Sequence, residues 1–431
     1  MPNIVIYDTT LRDGSQTEGV SFSVNDKIHI TEKLDDLGVH YIEGGWPGSN
    51  PKDKEFFKII QTKKLKNSII TAFGSTRRAN INPKDDNNLN ELADSGVLAI
   101  TIFGKSSDLH VTDVLKTTLE ENLKMIYESV DFLKKKTKEV FYDAEHFFDA
   151  YKRNPDYALK TILKAQDAKA DCIILCDTNG GTLPEDISRI IKAIKPHIKT
   201  PLGIHCHNDL DLAVANSLAA IEAGCVQIQG TFNGLGERCG NADLTTIIGI
   251  LHTKINVKSI PATKIKQLTE VAYFISEISN VKLPDNHAFV GHSAFAHKGG
   301  VHIDAMLKNS EAYEHLNPEA VGNHRRFLTS ELAGKMPIVL KAQAMDIKID
   351  KKSDEAKELL KTLQGKELDG YQFEAADASF EILIKRQLKE YKPFFILENF
   401  KVTTERRNDG KTFAEASLRL KIDGKEEFSA S

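Results

Sequence analysis

The stretch CIILCDTNGGTLPEDISRIIKAIKPHIKTPLGIHCH, residues 172–207, decides the fold. It opens on a continuous apolar run, Cys172–Asp177, and closes on a second, Leu202–His207, with a segment of helical spacing between them. Runs of this kind, apolar on both faces and separated by helices, are parallel strands covered by helices. Working outward, the unit recurs at Ile4–Tyr7, His40–Gly44, Ile69–Phe73, Leu98–Phe103, Val140–Glu145 and Val226–Phe232. The intervening Asp26–Leu37 segment puts Ile28, Ile30, Leu34 and Leu37 on a mostly apolar face. Eight such units in the first ~250 residues predict an α/β chain built on a (β/α)8 TIM barrel rather than an open doubly wound sheet.

The pattern then changes. Lys264 to Ile278 reads as one more helix, residues 286–322 as Gly/His-rich loops and short helices, and residues 325–365 as helical. Strand-like runs follow at Phe380–Leu383, Phe394–Thr403 and Ala414–Ile422. The expected organisation is a catalytic barrel over 1–285, a helical linker over 286–372 and an α+β module over 373–431. That module stops just after a strand, so it is expected to be incomplete. A net charge of -4 leaves no basic footprint for nucleic acid, and no apolar stretch reaches the ~20 residues of a membrane span. The start, Met1-Pro-Asn-Ile-Val-Ile-Tyr7, has no basic segment followed by a long apolar core, so no secretory signal is expected, and five cysteines without a Cys-x-x-Cys pair suit a reduced, cytoplasmic protein.

In such a barrel, reactive groups collect at the C-terminal strand ends and the loops that follow. Those positions hold Arg12 and Asp13, Glu43, Asp143 and Glu145, Asp177 and Thr178, His205 and His207, and Asn241. Strand alternation puts His205 and His207 on one face and Cys206 on the other. With Asp13 and Asn241 at neighbouring mouths, the set is two imidazoles, a carboxylate and an amide oxygen without a thiolate. It suits Mg, Mn or Zn with open positions for a chelating substrate. Arg12 is placed to face an oxygen that becomes negative in the transition state, and Glu43 to orient it. Asn233-Gly-Leu-Gly-Glu-Arg-Cys-Gly-Asn241 has its third glycine one residue too late for a dinucleotide fingerprint. Its place after the eighth strand is compatible with a phosphorylated or CoA-type ligand.

Asp8-Thr-Thr-Leu-Arg-Asp-Gly-Ser-Gln16 with Glu43, His205-Cys-His-Asn-Asp209 and Gly234-Leu-Gly-Glu-Arg-Cys-Gly-Asn241 resemble the signatures of the DRE-TIM metallolyases. His297-Lys-Gly-Gly-Val-His302 and Asn317-Pro-Glu-Ala-Val-Gly322 resemble the 2-isopropylmalate, homocitrate and citramalate synthase branch. Val39–Asp53 and Phe73-Gly-Ser-Thr-Arg-Arg78 look most like its citramalate synthases. The resemblance implies a divalent metal on Asp13, His205, His207 and Asn241, with Arg12, Glu43 and Glu145 catalytic. It implies that Arg12, Gln16 and Thr178 bind substrate, with acetyl-CoA and pyruvate as the substrates. It also implies a homodimer in which His302 and Tyr313 are delivered to the partner's barrel. The C-terminal module resembles the start of a LeuA-type regulatory domain responding to isoleucine. Three alternatives remain: another 2-oxo acid as acceptor, its side chain meeting pocket residues such as Phe73 or Phe103 and a second carboxylate meeting Arg77 or Arg78; a carbon–carbon lyase; and a non-catalytic scaffold.

Overall fold

The computed structural model describes residues 4–328, 335–350, 352–373 and 376–431. Eight parallel strands close into a barrel: β1 (Val5–Asp8), β2 (Tyr41–Gly45), β3 (Ile69–Ser75), β4 (Ala99–Lys105), β5 (Glu139–Glu145), β6 (Cys172–Asp177), β7 (Leu202–Cys206) and β8 (Gln227–Gly230), the last pairing with the first. These are the eight runs expected, with ends moved by a residue or two. Alternation divides each strand between two cores. Outward side chains such as Ile6, Ile42, Ile102, Leu175 and Ile204 pack against the helices. Inward ones, Tyr7, Ala99, Phe141, Cys172, Ile174 and Cys176, fill the barrel floor.

The first helix, Val24–Leu37, shows how local chemistry sets the ends. Ser23 and Asp26 form a reciprocal capping box, and Gly38 closes the helix at φ 96°. Ile28, Ile30, Leu34 and Leu37 are buried, as their spacing predicts. The helix expected at Lys264–Ile278 is Leu268–Ser279.

Two compact units make up the chain. The barrel's unit runs to Phe295 and includes Glu314–Arg325; the other comprises Ala296–Tyr313 and Arg326–Ser431. In the second, helices Lys335–Ala344, Asp354–Leu368 and Asp377–Gln387 enclose Ile338, Leu359, Leu363, Phe380 and Ile384. An antiparallel sheet follows, Ile396–Arg406, Thr412–Ile422 and Lys425–Ala430. Phe380–Leu383, expected as a strand, lies inside the helix Asp377–Gln387. Phe380 and Ile384 are four apart and both buried, a helical contact that a four-residue run cannot reveal. No helix among the described residues is long and apolar enough to cross a membrane.

A buried ion pair ties the first helix to the barrel. Lys27 pairs with Asp53 and donates to the Gly44 carbonyl at 2.9 Å, while Asp53 also accepts from Trp46 N at 2.9 Å. Removing one partner strands a buried charge, so Asp53→Ala is expected to lose about 3–5 kcal/mol of stability. Adding Lys27→Met should recover part of that loss, read from thermal unfolding by circular dichroism.

Candidate active site

β1 ends in Asp8, and the chain folds back on it. The Asp8 carboxylate accepts from Thr10 N at 3.1 Å and Thr10 Oγ1 at 2.6 Å, while Arg12 N and Gly14 N both donate to Thr9 O at 3.1 Å. This tight turn sets Arg12 and Asp13 side by side at the barrel's C-terminal mouth. Arg12 Nε donates to Glu43 Oε1 at 2.5 Å, Nη1 lies 3.1 Å from Asp13 Oδ1, and the guanidinium carbon sits 3.7 Å from the centre of the Phe73 ring. Glu43 is fully buried and its second oxygen accepts from the Tyr7 hydroxyl at 2.6 Å. Burial alone would lower the Arg12 pKa; Asp13 and Glu43 outweigh it and hold the guanidinium above its ordinary value.

β7 presents His205, and His207 follows it on the same face. His205 Nε2 lies 3.3 Å from Asp13 Oδ2, and ligand atoms of Asp13, His205 and His207 all fall within 4.8 Å of one another. An isolated bridge pairs Asn241 with His207, and Asn241 Nδ2 donates to Leu235 O at 3.1 Å. The loop between needs its glycines. At Gly236, φ 157°, a Cβ would stand 2.2 Å from Asn241 Nδ2; at Gly240, φ 90°, it would stand 2.0 Å from Gly234 O.

Asp13 Oδ2, His207 Nδ1 and Asn241 Oδ1 are buried without a hydrogen-bond partner. Each such atom costs about 1–3 kcal/mol, and two of the three residues, Asp13 and His207, belong with His205 to the set whose ligand atoms share one spot, a place for a cation. The donors are one carboxylate, two imidazoles and an amide oxygen, and they fit a hard or borderline divalent ion. Burial, then His205, push the His207 imidazole down to about 4, leaving it neutral and able to donate a lone pair. Burial would raise Asp13, but Arg12 and both histidines outweigh it and keep the carboxyl below its usual range.

Arg12, Asp13, Gln16, Glu145, Thr178, His205 and His207 line one cavity of about 260 Å³. Glu43 is held against Arg12 and Asn241 against His207. His302 and Tyr313 belong to the other unit, where their rings stack with centres 4.3 Å apart. Sequence reasoning named Phe73 and Phe103 for this pocket and missed Arg238 and Trp46 in its lining and Lys105 beside it. Lys105, opposite Glu145 in the β4–β5 register, forms an ion pair with it. Arg238 grips Asp209 with two hydrogen bonds, 2.7 and 2.9 Å, and donates to Thr178 O at 2.7 Å, tying together the loops after β6, β7 and β8. Trp46, Phe73 and Phe103 form a three-ring wall with centres 5.5 to 5.9 Å apart. Strand parity was the available signal for Lys105, two residues beyond Phe103. Arg77, a candidate for a second carboxylate, is buried and paired with Glu121 and Glu128; neither it nor Arg78 lines this cavity.

A closed barrel that carries a cation-ready carboxylate–imidazole cluster beside a fixed arginine defines a metal-dependent barrel enzyme. Comparison agrees: a family model described as HMGL-like matches residues 3–275, and one described as homocitrate synthase post-HMGL domain-like matches residues 289–367. The (R)-citramalate synthase of Geobacter sulfurreducens is 52% identical over 432 residues, covering all of this chain and 82% of that one. That of Aquifex aeolicus is 54% identical, covering 99% and 81%. The chain belongs to the (R)-citramalate synthase family. The 2-isopropylmalate synthase of Methanocaldococcus jannaschii is 36% identical over 84% of this chain and 67% of its own length. Among solved structures, hydroxymethylglutaryl-CoA lyase from Pseudomonas aeruginosa shares the fold at TM-score 0.55 and 17% identity, covering 65% of this chain and 94% of that one.

Asp8 makes the mouth sensitive to pH. Burial pushes its carboxyl up to about 7, against the pull of the Thr10 hydrogen bonds. The folded chain therefore keeps a proton that the unfolded chain loses near 3.8, and stability falls as pH rises between those values. Asp8→Asn should gain on the parent by roughly 2–3 kcal/mol between about pH 5 and about pH 8. Thermal midpoints of both proteins at the two pH values test this; parallel curves would contradict it.

Proposed function

We propose that this chain is an acyltransferase that condenses the acetyl group of acetyl-CoA with the ketone of pyruvate, giving (R)-citramalate and free CoA on the way to isoleucine. The observation that carries the reading is the set of unpartnered buried atoms of Asp13, His207 and Asn241 beside an immobilised Arg12. Full-length identity to (R)-citramalate synthases supports the choice of reaction and its stereochemistry.

Asp13, His205, His207 and Asn241 would hold Mn, Mg or Zn, which would supply Lewis acidity to a 2-oxo acid. Arg12 faces the ketone oxygen and stabilises it as it becomes an alkoxide, and because Glu43 and Asp13 already fix the guanidinium, little reorganisation is needed. Gln16 and Thr178 hold the substrate. A base removes a proton from the thioester methyl group, the new carbon–carbon bond forms as the ketone is attacked, and water then breaks the thioester. Glu145, held by Lys105, sits at the cavity wall to contact that water or the substrate. We assign the base to His302 of the partner subunit, beside the partner's Tyr313. The stacked pair on this chain, outside the barrel's unit, supports a homodimer that exchanges these residues. Isoleucine inhibition of the full-length protein and a cytoplasmic setting complete the reading.

The acceptor is a small monocarboxylate because three aromatic rings crowd one wall and neither Arg77 nor Arg78 lines the cavity. Thiol release from acetyl-CoA should be seen with pyruvate and be weak with 3-methyl-2-oxobutanoate or 2-oxoglutarate. It should vanish in EDTA and in His207→Ala. Preference for another acid would overturn the acceptor while keeping the chemistry; silence with all three, followed by aldol cleavage, would favour a lyase. Arg12→Ala is expected to lower kcat by about 10²- to 10³-fold. Phe103→Ala should shift kcat/KM toward 3-methyl-2-oxobutanoate by roughly 10-fold or more.

A further inference from the structure

Two buried side chains behind the ligand cluster have no part in the chemistry above. Gln229 lies on β8, opposite His205 on β7 in the strand register. Asp143 lies on β5, two residues before Glu145, on the lumen face. The Gln229 amide spans the space between them: Oε1 is 3.0 Å from His205 Nδ1, and Nε2 donates to Asp143 Oδ1 at 3.2 Å.

An amide has one accepting end and one donating end, so whatever claims one end decides what the other presents. Asp143 Oδ1 takes the Nε2–H. Burial and Glu43 push the Asp143 carboxyl above its ordinary range while Arg12 pulls it back; a protonated carboxyl still keeps one oxygen that only accepts, and in the contact with Nε2 that oxygen is Oδ1. Oε1 is thereby turned toward His205, and an oxygen there can only accept. His205 must then carry its ring proton on Nδ1. In a neutral ring that leaves Nε2 bare, 3.3 Å from Asp13 Oδ2. The order runs from carboxyl to amide to imidazole, and each link fixes the direction of the next.

We propose that Asp143 and Gln229 are positioning residues that hold His205 in its Nδ1-protonated form, so that Nε2 points into the cluster for a divalent cation. The cation half of this rests on the metal reading of that cluster; the tautomer half does not. The strand pattern explains why these two residues occupy the same layer. Asp143, His205 and Gln229 all lie on the inward phase of their strands, and Cys176, which pairs with His205 on β6, lines the same cavity. Without Asp143, the amide has no reason to keep its oxygen on the histidine.

The test begins on cation-free protein labelled with ¹⁵N, where long-range proton–nitrogen correlations read each histidine's tautomer directly; His205→Asn supplies the assignment. Wild-type His205 should show the Nδ1–H pattern. Gln229→Leu and Asp143→Leu should shift it toward Nε2–H and weaken Mn²⁺ binding, titrated calorimetrically, by about 10- to 100-fold. The exchange variant Gln229→Glu with Asp143→Asn restores the direction of both hydrogen bonds, because the new carboxylate accepts from His205 and from the new amide. It should recover the tautomer and most of the Mn²⁺ affinity, which a merely space-filling role would not predict. An Nε2–H pattern in the wild type overturns the proposal. So do an unchanged tautomer in Gln229→Leu and an exchange variant that folds with an Nε2-protonated His205. If the wild type shows Nδ1–H yet binds no Mn²⁺, the metal reading of the cluster is overturned and the tautomer half stands.

Discussion

Glu43 has no exposure to water, and an isolated carboxylate in that position costs several kcal/mol. Both of its oxygens are engaged, one by Arg12 and the other by the Tyr7 hydroxyl, which also meets Thr101 at 2.6 Å and accepts from Thr71 Oγ1 at 2.9 Å. One charge therefore organises β1, β2, β3 and β4 at a single level of the barrel. Above that level the lumen is functional; below it Tyr7, Phe141, Cys172 and Ile174 make an ordinary apolar floor. The restraint also runs outward. β2 changes register between Glu43 and Gly45, and a Cβ on Gly45 would stand 2.4 Å from the Asp53 carboxylate. Asp53 is held by Lys27 on the first helix, so the helix layer and Arg12 are joined through a few short contacts.

What the sequence revealed follows from the same physics. Parallel strands covered on both faces must be apolar throughout, so the eight runs stood out, and alternation then put His205 and His207 on one face. The cluster of Asp13, His205 and His207 was readable because barrel closure brings strand ends together wherever they fall in the chain. Pairings that depend on where long side chains settle were not readable. Lys105 to Glu145, Arg238 to Asp209 and the engagement of Arg77 by Glu121 and Glu128 each join separate elements. Phe380–Leu383 failed for a different reason: four apolar residues carry no period, and packing of Phe380 and Ile384 into one cluster decided for helix.

The electrostatics of the mouth also constrain the substrate. Arg12 contributes one positive charge, Asp13 and Glu43 one negative charge each, and burial disfavours charge on Asp143 and His207. With Glu145 paired to Lys105 and Arg238 to Asp209, the buried set around Arg12 carries one negative charge, and Glu237 adds another at the exposed rim. A divalent ion would bring the buried set to one positive charge, which the single carboxylate of a small 2-oxo acid would offset. A second carboxylate would add an uncompensated negative charge where burial makes it expensive. The charge that would answer it, Arg77, is already committed to two glutamates. Charge balance and the aromatic wall therefore select the same acceptor by independent means: the wall limits its bulk, and the balance limits it to one carboxylate.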